Sequence, residues 1–149
     1  MVTNNRPSHR ARLGYVLALL SLLAAPSIFA QQVIKIGAVL SLTGAGAGLG
    51  VPEKNGAMLA EKLINQRGGV KGRPIKIIFE DDGSKPDIAK SKAENLIYGE
   101  KVTAIIGPSL TASTGAAATI TNSAPMVQIA CTGLGPPIEQ SYKKLFHVL

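Results

Sequence analysis

Four short apolar runs, at residues 33–40, 75–80, 102–106 and 126–130, recur along this 149-residue chain, with one helical pattern between each pair. That alternation constrains the fold more than any other feature. Runs of this length, rich in Val and Ile, suit strands buried on both faces. Single helices between consecutive strands imply right-handed crossovers and parallel pairing. The expected fold class is α/β, a doubly wound parallel sheet sandwiched by helices.

The first run (VIKIGAVL) is expected to be the central strand, and the loop after it carries Gly44, Gly46, Gly48 and Gly50. No register of those glycines gives Gly-x-Gly-x-x-Gly, and no Walker lysine follows, so a cofactor cradle is not indicated. A helix is expected over 52–67. Pro52 would sit in its first turn and Glu53 at the positive end of its dipole, with Gly56, Leu59, Ala60, Leu63 and Ile64 as its packing face. Gly68 and Gly69 stop it. Asp81 and Asp82 follow the second run. They have no His or further carboxylate at ligand spacing, so they read as a turn rather than a metal or acid–base pair. Ser84 with Asp87 resembles a capping box for a helix reaching Tyr98, whose inner face is Ala89, Ala93, Leu96 and Ile97. A third helix is expected over 113–122, then a rigid turn over 133–137, a short polar segment, and a strand that has barely begun at 145–149.

Residues 1–30 have the layout of a secretory signal peptide. Arg6, Arg10 and Arg12 precede an apolar core over 13–25, and cleavage is expected after Ala30. The apolar core is too short for a comfortable membrane span. Residues 31–149 would then be the mature, exported, periplasmic part. Without the leader, 13 Lys/Arg face 9 Asp/Glu, a net charge of +4 against +7 for the whole chain. Those charges are dispersed and there is no Trp, which argues against a nucleic-acid partner. Cys131 is the only cysteine, so no intrachain disulfide is possible, and an inert, buried thiol is the expected state. No metal or cofactor site is indicated.

Between residues 102 and 138 there is no Asp, Glu, Lys or Arg. Its two apolar runs each end in small and hydroxyl residues, as strand tips opening onto polar loops would. Ligands of open α/β sheets bind beyond such tips. Hydroxyls and backbone N–H groups there can hold a carboxylate without a buried formal charge. The same composition also fits an Ala-rich helix between two core strands, uncharged because it is inside.

Several motifs occur together: Val33-Ile-Lys-Ile-Gly-Ala-Val-Leu-Ser-Leu-Thr-Gly44, Asn55-Gly56 after Gly50, Asn65 with Gly68-Gly69-Val-Lys-Gly72, Asp81-Asp-Gly83 and Ile105-Ile-Gly-Pro-Ser109. In this order they resemble the type I periplasmic binding proteins of the branched-chain amino acid (leucine-binding) class, the substrate-binding subunits of ABC importers. The resemblance covers residues 33–149. It implies the first lobe of a two-lobed protein, here truncated, that grips the ligand's α-carboxylate and amino group. It also implies a small-molecule ligand, a branched-chain amino acid or similar carboxylate, and an inner-membrane ABC permease as partner. Carried to this chain, the contacts fall on Ser109, Leu110, Thr111 and Ser113 after the third strand, and on Ala130, Cys131 and Thr132 after the fourth. Thr111 or Ser113 would bind the carboxylate, and the Ala130 carbonyl and Thr132 hydroxyl the ammonium. Leu49 matches a position that touches the ligand side chain.

An enzyme is the less favoured reading. Gly107-Pro-Ser-Leu-Thr111 lacks the second glycine of a nucleophile elbow, and His147 is poorly placed as its base. A ligand-sensing domain of an exported receptor or regulator is the alternative, because the same fold serves there. Without a second lobe the chain is expected to bind weakly or not at all. Isothermal titration with leucine, isoleucine and valine checks this, and micromolar binding would contradict it.

Overall fold

The computed structural model describes residues 32–148, so the expected signal peptide lies outside the described residues. Five strands form one parallel sheet: β1 (Ile34–Leu40), β2 (Ile75–Asp81), β3 (Ala104–Ile106), β4 (Val127–Ala130) and β5 (Leu145–His147). Their order is β2-β1-β3-β4-β5, the doubly wound arrangement expected. β1 is an interior strand between β2 and β3, while β3 occupies the middle of the sheet. The helices are α1 (Ala47–Gln66), α2 (Pro86–Glu94), α3 (Thr111–Ser123) and α4 (Pro136–Ser141). No helix among the described residues is long and apolar enough to cross a membrane.

On one face of the sheet, α2 and α3 bury Ala89, Ala93 and Ala117 against Val39, Ile105 and Met126. The chain continues from α2 through one wider π turn, Asn95–Gly99, which buries Leu96 and Ile97 as the expected inner face required. Small side chains at Ala89, Ala93 and Ala117 let these two helices approach closely. The opposite face carries Ala38, Leu40 and Ile77, with Ala57 of α1 packed against them.

α1 departs from expectation in start and in face. It begins at Ala47, so Gly48, Gly50 and Pro52 lie inside the helix and Glu53 lies beyond its first turn. Gly50 serves close packing rather than loop freedom. A Cβ at Gly50 would stand 2.2 Å from the Ser41 carbonyl oxygen. Leu59, Ala60 and Leu63 are exposed, and so is Gly56. The inward positions are Gly50, Glu53, Ala57, Glu61, Ile64 and Asn65, none of them fully exposed. The cause is that β2 is an edge strand with backbone groups to satisfy. Glu61 accepts the Ile77 N–H at 2.7 Å, and Asn65 bonds both the N–H and the carbonyl of Ile75 at 2.8 Å. Polar side chains therefore face inward, and leucines outward.

Three further expectations are corrected. Ser84 does not cap α2. Lys85 is the N-cap residue, with no side-chain cap bond, and Pro86 occupies the first turn. The segment after the 133–135 turn is helical (α4), since paired prolines suit a helix start as well as a rigid turn. β4 alternates rather than being buried throughout: Gln128 and Ala130 are buried, Val127 and Ile129 exposed. Gln128 is accommodated inside because Thr121 Oγ1 donates to its Oε1 (2.6 Å) and its Nε2 donates to the Gly107 carbonyl (3.1 Å).

Two glycines of α1 separate the packing requirement from helix propensity. Gly48→Ala meets nothing within 4 Å and is expected to stabilise the chain by about 0.5–1 kcal/mol. Gly50→Ala forces the helix off the β1 tip and is expected to cost about 1–3 kcal/mol. Urea unfolding midpoints of the two variants check the opposite signs.

Candidate functional site

The strand order reverses between β1 and β3, so the crevice beyond those strand tips is the topological switch point, where ligands bind in open α/β sheets. Three loops meet there, at residues 41–46, 107–110 and 131–135. The tips are stitched together by side chains. The Ser41 N–H donates to Ser109 Oγ (3.1 Å), and Ser109 Oγ donates to Glu53 Oε2 of α1 at 2.5 Å. Ser41 Oγ donates to Asp82 Oδ1 (2.8 Å), which also accepts the Ser84 N–H (2.7 Å). Gly107 turns the chain at the end of β3 with φ of 90°, and a Cβ there would meet the Val39 carbonyl oxygen at 2.1 Å.

Asp81 does parallel work on the loop after β1. It accepts N–H groups of Leu42 (2.9 Å), Thr43 (3.2 Å) and Gly83 (2.9 Å), and the Thr43 hydroxyl at 2.7 Å. Desolvation pushes its carboxyl upward, but these bonds, led by Thr43, outweigh it and hold the pKa below 3.8. Ser84 Oγ, displaced from the capping role, donates to the Thr43 carbonyl and accepts the Gly46 N–H, both at 2.8 Å. The acid pair is a structural clamp with turn geometry. Among the described residues no three His, Cys, Asp or Glu side chains are grouped to hold a metal ion.

The start of α3 supplies the free donors. Its N-cap, Leu110, has extended backbone and no side-chain oxygen to offer. The first helical bond runs from the Thr114 N–H to the Leu110 carbonyl at 2.8 Å. The N–H groups of Thr111, Ala112 and Ser113 thus have no acceptor within the helix. Aligned peptide dipoles place partial positive charge at the same point.

The sequence-derived residues fall into two sets. Thr111 and Thr132 are brought together, their hydroxyl oxygens 3.4 Å apart and both within reach of the Gly133 carbonyl (3.4 and 3.5 Å). Leu49, in the first turn of α1, is 54% exposed. Ser109, Ser113 and Ala130 are buried, and Leu110 is half-buried beside Gly46. Ser109 Oγ is committed to Glu53, whereas Ser113 Oγ has no hydrogen-bond partner among the described residues. Cys131 is half-buried. Burial, and then the Glu53 carboxylate, push its thiol up to about 11 against a weaker opposing bond from Gly107, so it stays protonated at neutral pH. Ser41, Glu53, Asp81 and Asp82 were not among the site residues expected from the sequence, where Glu53 read as a helix-dipole partner and the acid pair as a turn. Their signal was present as hydroxyls after one strand and acids after the next, which become neighbours only once β1 and β2 pair.

Residues 33–149 match the family model of the periplasmic binding proteins. The chain belongs to this family. Its neighbours include leucine-, isoleucine- and valine-binding members of the type I class. A Leu/Ile/Val-binding protein homologue from Brucella melitensis is 30% identical over 105 residues, covering 70% of this chain and 28% of the relative. An amino acid binding protein from Pseudomonas aeruginosa is 29% identical over 129 residues, 87% of this chain and 34% of its own length. Among solved structures, the branched-chain amino acid transporter substrate-binding protein of Streptococcus pneumoniae, in complex with isoleucine, superposes with a TM-score of 0.75 at 31% identity. That superposition covers 78% of this chain and 33% of the other. A solute-binding protein of an ABC transporter from Rhodopseudomonas palustris, in complex with 3,4-dihydroxybenzoic acid, gives 0.68 at 29% identity, covering 77% and 31%. The chain therefore spans about a third of the length of these periplasmic binding proteins.

Burial raises the Glu53 carboxyl above 4.5, the Ser109 hydrogen bond opposes the rise, and the Asp82 charge adds to it. The folded chain thus holds this proton more tightly than the unfolded chain. The contribution of Glu53 to stability is fully present below pH 4.5 and is lost as pH rises through its folded pKa. Glu53→Gln is expected to remove that loss. The difference between wild-type and variant unfolding free energies, followed by urea titration on both sides of pH 4.5, checks the sign.

Proposed function

We propose that this chain forms the ligand-gripping lobe of an extracytoplasmic solute-binding component of an ABC importer. The solutes are branched-chain amino acids or related small amino and carboxylic acids, and the partner is the importer's membrane permease. One observation carries the reading: an uncapped α3 N-terminus at the β1/β3 switch point, with the Thr111 and Thr132 hydroxyls 3.4 Å apart beside it. Family membership and the ligands named for the relatives support it.

The chemistry is recognition without reaction. A ligand carboxylate at the α3 N-terminus accepts the N–H groups of Thr111 to Ser113 and the Thr111 hydroxyl. Such charge-assisted bonds are shorter and stronger than neutral ones. The donors belong to a helix packed into the core, so little ordering is needed when the ligand arrives. The Ser113 hydroxyl, buried and unpartnered, gains most from a slight shift of the loop toward a bound anion. At the facing tip of β4, the Ala130 carbonyl and Thr132 hydroxyl accept from an ammonium group. Leu49 stands exposed on the first turn of α1 and offers apolar contact to a side chain. A protonated Cys131 contributes neither charge nor nucleophile. Closure of a second lobe over this surface would exclude water and raise affinity, as in hinge-closing binding proteins.

Titration of the isotope-labelled chain with isoleucine into the millimolar range tests the site. Amide shifts are expected to move at residues 111–113 and 130–132 and to stay fixed on β2 and α2. Thr111→Val and Ser113→Ala are each expected to weaken binding about five- to tenfold, near 1–1.5 kcal/mol. Weak binding by this lobe falls in that millimolar range, so shifts confined to other surfaces, or none across it, would overturn the reading.

A further inference from the structure

We propose that Glu53 makes the strand-tip site selective for small acids that also carry an ammonium group, over carboxylic acids that lack one. This rests on the ligand-binding reading above and assigns its substrate class.

Glu53 reaches the site from α1, outside the two loops that form the carboxylate seat. Its Oε2 is fixed at 2.5 Å from Ser109 Oγ, and Ser109 is itself fixed by the Ser41 N–H at 3.1 Å. Ser109 lies directly before Leu110, the N-cap of α3, so the carboxylate is anchored two residues from Thr111 and the free N–H groups. On the other side Glu53 is near enough to Cys131 to raise its thiol pKa, and Cys131 lies between Ala130 and Thr132. The carboxylate is therefore fixed at the β3 tip, with Cys131 after β4 within range of its charge.

The charges facing Glu53 are negative. Asp82, at the tip of β2, is wholly buried, and its Oδ2 has no hydrogen-bond partner among the described residues. Cys131, just after β4, is neutral. The neighbouring cation on α1, Lys54, lies over the Phe79 ring, 5.6 Å from its centroid. The three ion pairs found among the described residues, Lys35–Glu100, Lys76–Glu61 and Lys92–Glu80, do not include Glu53. Ser109 supplies Glu53 with one hydroxyl donor. Burial and Asp82 both raise the Glu53 pKa, the behaviour of a carboxylate short of positive partners.

A ligand with only a carboxylate brings a further negative charge to this corner. A zwitterion places its carboxylate on the α3 N–H groups and an ammonium one carbon away, beside Glu53. In a partly desolvated site that pairing separates the two ligand classes strongly. Relatives of this fold were solved with isoleucine and with 3,4-dihydroxybenzoic acid. The Glu53–Asp82 corner places this chain with the first kind.

The test pairs leucine with 4-methylpentanoic acid, which is leucine without its amine, in shift titrations of the 149-residue chain. The wild type is expected to prefer leucine by about tenfold or more. Glu53→Gln keeps an acceptor for Ser109 and is expected to shrink the preference to about twofold or less. Ser109→Ala frees the carboxylate without changing charge and is expected to retain a preference for leucine. Equal binding of both ligands to the wild type, or an unchanged preference in Glu53→Gln, would overturn the role of Glu53 while leaving the binding site standing. No binding of either ligand would overturn the binding reading itself, and this inference with it.

Discussion

The geometry of the strand tips depends on two adjacent carboxylates at the end of β2. Asp81 gathers backbone and hydroxyl donors from the loop after β1, and Asp82 takes the Ser41 hydroxyl. With Ser41 held, its N–H meets Ser109, and with Ser109 held, Glu53 is drawn in from α1. Loops at strand tips are the parts of an α/β fold with fewest ladder bonds, so side-chain anchors decide where they stand. The strand-tip corner is thus pre-shaped from the β2 side, although the residues proposed to meet a ligand lie after β3 and β4.

A second constraint comes from the open edge of the sheet. Among the described strands β2 pairs with β1, and the Ile75 N–H and carbonyl and the Ile77 N–H on its outer side are taken by Asn65 and Glu61 of α1. This covers the start of the edge against strand addition. It also rotates α1 so that Leu59 and Leu63 point outward while Glu53 and Ala57 point in. The placement of Glu53 beside Ser109 and the exposure of the leucines are therefore two results of one rotation.

Much of the fold was legible. The apolar runs marked four strands within about two residues, because short Val/Ile-rich runs bounded by polar and turn residues leave a direct imprint on composition. The inner face of α2 was legible for the related reason that Ala89, Ala93, Leu96 and Ile97 keep helical spacing. The face of α1 was not, since apolar periodicity assumes that a helix buries its apolar stripe, and here polar groups serve the strand edge. α4 was hidden by Pro136 and Pro137, which suit a turn and a helix start equally. At the site, Thr111 and Thr132 were legible as hydroxyls after apolar runs. Glu53 was not, because it sits on a different element, more than fifty residues away in sequence.

By itself the sequence determined the strand and helix alternation, the charge-free stretch that supplies neutral donors, and the family. These follow from local pattern, in which each residue is judged by its neighbours along the chain. Tertiary structure alone decided which acids stand behind the donors. Glu53, Asp82 and Ser109 become one cluster only when β1 inserts between β2 and β3 and α1 turns its polar side to the sheet. Hydrogen bonds between residues 41 to 68 positions apart fix that cluster, and no local spacing encodes them.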